Sequence, residues 1–92
     1  MLTRDLLLEH LASLQPVLCE LTDESHLHVG HAGAKGGGHY RLKIVAEAFA
    51  GRSAVARHRL VYASLGTLMR GEVHALSITA LTPEENQPDQ TA

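Results

Sequence analysis

A small α/β (α+β) domain, with a three-stranded mixed sheet carrying helices on one face, is the fold class this chain predicts. Two segments repeat apolar residues with the helical period, and three repeat them with the period of a strand. They follow one another as helix, strand, strand, divided helix, strand, with no internal repeat. At 92 residues, 45% hydrophobic and 20% charged, the chain has material for one core. A domain of this size buries roughly 60–65% of its unfolded surface. No second core is expected, and therefore no multidomain enzyme.

The first element is a helix over Thr3 to Leu14, where Leu7, Leu11 and Leu14 share a face, Thr3 can cap and Asp5 sits in the positive first turn. Pro16 stops it. Val17, Cys19 and Leu21 then alternate with Leu18, Glu20 and Thr22 as a half-buried strand. Leu42, Ile44 and Ala46 alternate with Arg41, Lys43 and Val45 as a second. The fifteen residues from Glu24 to Gly38 between them hold five glycines and are expected to be a mobile loop of functional interest.

Gly51 breaks the chain before a helical pattern from Ser53 to about Arg70, whose apolar sector collects Ala54, Val55, Val61, Tyr62, Leu65, Leu68 and Met69. Gly66 can divide this pattern into two helices. His74, Leu76, Ile78 and Ala80 alternate with Ala75, Ser77 and Thr79 as the third strand, which Pro83 ends. The chain is polar from Glu84, and residues 86–92 are expected to be a disordered tail after a domain spanning 1–85. The helical crossover makes the third strand parallel to its neighbour, while the first two form a hairpin.

Charge and composition narrow the function. Eight Lys and Arg against ten Asp and Glu give a net charge of −2, so no global field holds the chain to nucleic acid or an anionic membrane. Phe49, Tyr40 and Tyr62 are the only aromatics, too few for base-stacking platforms. The single cysteine, Cys19, excludes an intramolecular disulfide and a thiolate zinc cage, and suits a reducing compartment. Asp5, Glu9 and His10 interrupt the early leucines, so a signal peptide is not expected, no run approaches a membrane span, and a cytoplasmic protein is the expectation.

Histidine is the outlier, with seven residues, four of them between His26 and His39. His26, His28 and His31 form H-x-H-x-x-H, and neutral imidazole ligates several transition metals. A solvated polar loop would have the same composition. No thiolates or paired carboxylates complete a closed site, so one shared with a partner fits better. His74 stands at the entrance of the third strand, where a rim histidine bound to the backbone is the alternative to a ligand. His58 falls within the apolar helical sector and is expected to be a hydrogen-bonded core residue.

Arg52, Arg59 and Arg70 project within about 20° of one another if the helix is continuous. That stripe is a candidate nucleic-acid contact, or simply a solvated basic face. Gly30 and Gly33 match the G-x-x-G spacing of a nucleic-acid clamp, but between strands rather than helices. No nucleotide loop, triad or carboxylate pair is present, so neither an enzyme nor a small-molecule substrate is expected.

Phe49-Ala50-Gly51-Arg52, Arg57-His58-Arg59-Leu60-Val61-Tyr62, Val73-His74-Ala75-Leu76, Thr82-Pro83-Glu84-Glu85 and Asp23-Glu24-Ser25 before the histidine loop resemble the BolA family. The resemblance covers nearly the whole chain to Glu85. It implies a class II KH-like domain, no catalysis, and a monothiol glutaredoxin as partner. With that partner and its glutathione the chain would share a [2Fe-2S] cluster, holding none when isolated. In some members it implies a role in transcription, morphology or stress response. The family's ligand pattern falls on His74 and on a loop histidine, most directly His28, with His31 and His26 as alternatives. Cys19 receives no ligand role. Histidine in place of cysteine raises the potential of such clusters.

Overall fold

The computed structural model describes residues 3–24, 38–70 and 73–87. Helix α1 (Thr3–Leu11) runs into a 3-10 turn (Ala12–Leu14). Gln15 then takes a left-handed backbone, φ 52°, with its N–H on the Ala12 carbonyl, and Pro16 prevents continuation. Strand β1 is Leu18–Asp23 and β2 is Gly38–Val45. A 3-10 turn (Glu47–Phe49) precedes helix α2 (Ala54–Leu65), which Ser53 caps by accepting from the Ala56 N–H at 3.1 Å. Gly66, at φ 56°, ends α2 and opens a 3-10 segment (Gly66–Arg70), so the expected division falls on this glycine. Strand β3 is Val73–Leu81.

The sheet order is β1-β2-β3, with β1 antiparallel and β3 parallel to β2. Leu42 pairs with Leu21 and Ile78, and Ile44 with Cys19 and Ala80, so one face of all three strands is apolar. Leu7 and Leu11 from α1, Val61 and Leu65 from α2, Leu68 and Phe49 join Leu42 and Ile44 in a single core. Each fully buried Leu, Ile or Phe contributes roughly 1.5–3 kcal/mol relative to exposure. The opposite face is polar and open, with Glu20, Thr22, Arg41, Ser77 and Thr79 exposed. The helices therefore cover one face, as expected.

Two expectations about burial need correction. Val17 lies ahead of β1 and is 66% exposed. Its N–H binds the Val45 carbonyl at 2.8 Å, but the strand's inward alternation starts at Cys19 and Leu21. On α2, Val55 is 60% and Tyr62 41% exposed, and Ala54 is exposed too. The buried ridge runs through the expected Val61, Leu65 and Leu68, with Arg57, Leu60 and Ser64 at its margin. Val61, Leu65 and Leu68 belong to the projected apolar sector, but its Val55 and Tyr62 edge turns to solvent, because the packed side extends the other way, over the position that Arg57 occupies.

The chain after β3 is held. Thr82 Oγ1 accepts from the Glu85 N–H at 3.2 Å while Glu85 Oε1 accepts from the Thr82 N–H at 2.9 Å, a reciprocal capping box. The Asn86 N–H reaches back to the Thr82 carbonyl, so the turn extends one residue into the segment expected to be loose. Residues 88–92 of that tail lie outside the described residues.

Candidate functional site

Residues 25–37 lie outside the described residues, and with them His26, His28, His31, Gly30 and Gly33. Both ends of that segment are described. At one end the Glu24 N–H donates to the His39 carbonyl at 2.7 Å, continuing the β1–β2 ladder by one rung. At the other, Gly38 pairs with Val73 while His39 pairs with Ala75. One residue of β3 is left over between these pairs, and it is His74. The backbone irregularity in the parallel ladder thus sits where the histidine segment re-enters the sheet.

Glu24 binds Arg41 across the hairpin, Nε to Oε2 at 3.2 Å, with Arg41 largely in solvent. Such a pair adds little stability but orients the carboxylate. An open cavity of about 280 Å³ lies beside these residues, lined by Glu24, His39, Tyr40, Ala75, Leu76 and Ser77. Tyr40, one of the lining residues, is buried. Burial, and then the charge of Asp23, push its phenol above the ordinary value, so it stays neutral. The ring lies over Gly38, where a Cβ would overlap Tyr40 Cε2 and come within 2.9 Å of Cζ and Oη. A glycine at the root of the segment lets this aromatic pack against the strand itself.

Among the described residues no three His, Cys, Asp or Glu side chains form a metal-binding group. Cys19 is half-buried and packs against the core. Burial pushes its thiol above the ordinary value, outweighing the opposing charge of Arg4, so the thiolate that a metal needs is disfavoured. His58, expected in the core, is only half-buried on α2. His10 carries the contact that its position in the sequence did not suggest: its Nδ1 donates to the Ser64 carbonyl at 3.1 Å and ties α1 to α2.

The three candidate arginines do not share one helix. Arg52 precedes the cap of α2 and donates from Nε to the Ala48 carbonyl at 2.9 Å. Arg59 is exposed on α2, and Arg70 is exposed at the end of the 3-10 segment beyond Gly66. The continuous projection that aligned them is broken twice, at Ser53 and at Gly66. Arg57, outside that stripe, is the most engaged arginine among the described residues. It donates to the Arg52 carbonyl (3.0 Å), the Ala80 carbonyl (3.0 Å) and both oxygens of Glu85 (2.6 and 3.1 Å). The spacing Arg57…Thr82-x-x-Glu85 carried that signal, because a carboxylate in a capping box is held where a guanidinium can grip both oxygens.

None of the helices among the described residues is long and apolar enough to cross a membrane. Residues 11–85 match the family described as BolA-like protein. The chain is 45% identical over 78 residues to SufE-like protein 1, chloroplastic/mitochondrial, of Arabidopsis thaliana, covering 78% of this chain and 21% of that protein. It is 35% identical over 74 residues to the DNA-binding transcriptional regulator BolA of Escherichia coli (strain K12), covering 80% and 69%. It spans about half the length of other curated relatives, including a chloroplastic and a mammalian BolA-like protein. The solved structure of BolA1 from Arabidopsis thaliana superposes with a TM-score of 0.80 at 34% identity, over 95% of this chain and 99% of that one. Sheet order, helix placement and sequence agree, and the chain belongs to the BolA-like protein family.

Proposed function

We propose that this chain is a non-catalytic regulator that partners a monothiol glutaredoxin and shares a [2Fe-2S] cluster with it, in iron-sulfur trafficking or redox sensing. The observation that supports this reading is the position of His74 as the extra residue of β3, at the rung where the histidine segment returns through Gly38. The topology brings the root of H-x-H-x-x-H to the strand entrance that carries a further imidazole. His74 and His28 are the assigned ligands, with His31 or His26 as substitutes at the loop position. The donor set fits the group: neutral imidazoles ligate iron in mixed cysteine and histidine centres. Two ligands would come from this chain and the remaining two from the glutaredoxin and its glutathione. The cluster, when bound, would supply one-electron redox chemistry, while this chain's part is to present and orient imidazoles. A reducing compartment such as the cytoplasm suits both partners. Anaerobic co-purification with a monothiol glutaredoxin, followed by absorption spectra of wild type and His74→Ala, tests the reading. An unchanged spectrum would overturn it.

A second reading, a DNA-binding regulator of morphology or stress genes, is favoured by the relative in E. coli that bears that name. Arg59 on the solvent side of α2, with Arg52 and Arg70 on the flanking turns, would make the phosphate contacts. Binding of a labelled promoter fragment that weakens with salt and with loss of Arg59 and Arg70 would support it. Binding indifferent to both would not.

A further inference from the structure

Among the described residues β3 is an edge strand, and its hydrogen-bonding direction is fixed by two contacts. The Leu81 carbonyl accepts from the Ala46 N–H at 3.0 Å, so Leu81 faces β2, and with it Ser77 and Thr79, whose residue parity is the same. The Ala80 carbonyl instead accepts from Arg57, on the open side. The N–H and C=O groups of Leu76 and Ile78 share the parity of Ala80. They therefore point away from the sheet, and among the described residues nothing pairs with them.

Exposed edges in folded proteins are normally blunted by charge, proline or a bulge. The other edge follows this rule: β1 has six residues, of which Glu20 and Asp23 are charged. The β3 edge does not. Val73–Leu81 runs nine residues without Lys, Arg, Asp, Glu, Pro or Gly. Its irregularity is confined to the His74 end, and Arg57 covers only the Ala80 end. Between them lies an open, uncharged stretch centred on Ser77.

We propose that this edge is a self-association surface, taking the β3 edge of a second copy in antiparallel, two-fold register about Ser77. The register follows from which groups are free. Leu76 faces Ile78 of the second copy, and Ile78 faces its Leu76, each pair exchanging two backbone hydrogen bonds. Ser77 faces its own counterpart across the axis in the intervening rung, and Ala75 faces Thr79. Leu76 and Ile78 are half-buried at the margin of the core and become covered, whereas Ser77, Ala75 and Thr79 are exposed and small. No like charges meet, which is what makes a second copy an acceptable occupant where β1 would repel one. The product is a continuous six-stranded sheet with all helices on one face. Four central hydrogen bonds make a weak, concentration-dependent dimer.

The test uses the full chain with Cys19→Ser as background. Residues facing each other in a rung without backbone hydrogen bonds lie about 4.5 Å apart at Cα, within disulfide range. Ser77→Cys should cross-link to a covalent dimer in a glutathione redox buffer about tenfold faster than Ala75→Cys, which faces Thr79 rather than itself. Amide exchange at Leu76 and Ile78 should slow as concentration rises, and Ser77→Lys should abolish that slowing while leaving the circular dichroism spectrum unchanged. Equal cross-linking at both positions, preference for the Ala75 variant, or concentration-independent exchange at Leu76 and Ile78 would overturn the proposal.

Discussion

Arg57 on α2 grips both carboxylate oxygens of Glu85, at 2.6 and 3.1 Å, across the end of the sheet. The same guanidinium holds the Ala80 carbonyl, and the same carboxylate holds the Thr82 N–H. Helix α2, the end of β3 and the turn after it therefore meet at one charge pair. Bidentate geometry gives such a pair more weight than an ordinary surface contact.

That pair predicts an acid sensitivity. The side-chain hydrogen bond from Arg57, followed by that from the Thr82 backbone, lowers the Glu85 carboxyl from 4.5 to about 2. A depressed carboxyl contributes stability that is fully present above its unfolded value and is lost as pH falls through its folded one. Melting temperature should therefore decline between about pH 4.5 and 2 through this group. Glu85→Gln should flatten that limb and lower the melting temperature at neutral pH. An acid limb identical to wild type would show that Glu85 does not carry it.

The α2 ridge predicts a contrast between two apolar residues that composition alone treats alike. Phe49 is fully buried at the centre of the core, and Phe49→Ala should cost about 3–5 kcal/mol in chemical denaturation. Val55 is mostly in solvent, and Val55→Ala should stay within about 0.5 kcal/mol of wild type. A large loss at Val55 would return this residue to the packed side of α2, where the apolar periodicity put it.

That contrast also marks where the sequence is legible. Strand alternation placed Leu42, Ile44 and Leu21 inward, because the period of two leaves only two choices and the polar partners decide between them. Gly66 announced the end of α2, since its positive φ favours a residue without a Cβ. The helix face was less legible. Arg57 occupies a packed position by sending its charge to Glu85, a long-range contact that an apolar periodicity cannot register. The projected alignment of the three arginines is lost for a related reason: a projection extends a helix through Ser53 and Gly66, whereas caps and backbone sign end it there. His74 was placed on β3 by its pattern, but its being the extra residue between the Gly38 and His39 rungs depends on strand pairing.

Gly38 gives a local prediction. A Cβ there meets the Tyr40 ring, which is packed in the core and must shift to make room. Gly38→Ala should destabilise the chain by about 1 kcal/mol, and combining it with Tyr40→Leu should cost less than the sum of the single changes. Strict additivity in equilibrium unfolding would mean that the two residues do not compete for the same space.

The shared-site reading makes the last prediction, and pH separates ligation from simple docking. An imidazole binds iron through a lone pair that protonation removes, so ligation by this chain requires neutral rings. Unperturbed imidazole titrates at about 6.5. As pH falls below that value, the imidazole-dependent part of the cluster spectrum in the glutaredoxin complex should fade. His74→Ala should lack that component at every pH while retaining the wild-type far-ultraviolet spectrum. His28→Ala should lose nearly as much unless His31 or His26 takes its place, and a triple change at His26, His28 and His31, which removes every substitute, should lose it as fully as His74→Ala. Two-protein docking measured without iron should remain for all of these variants. Should the His74→Ala complex keep a wild-type spectrum with the same pH dependence, the assignment of this residue as a ligand fails even if the partnership itself is real.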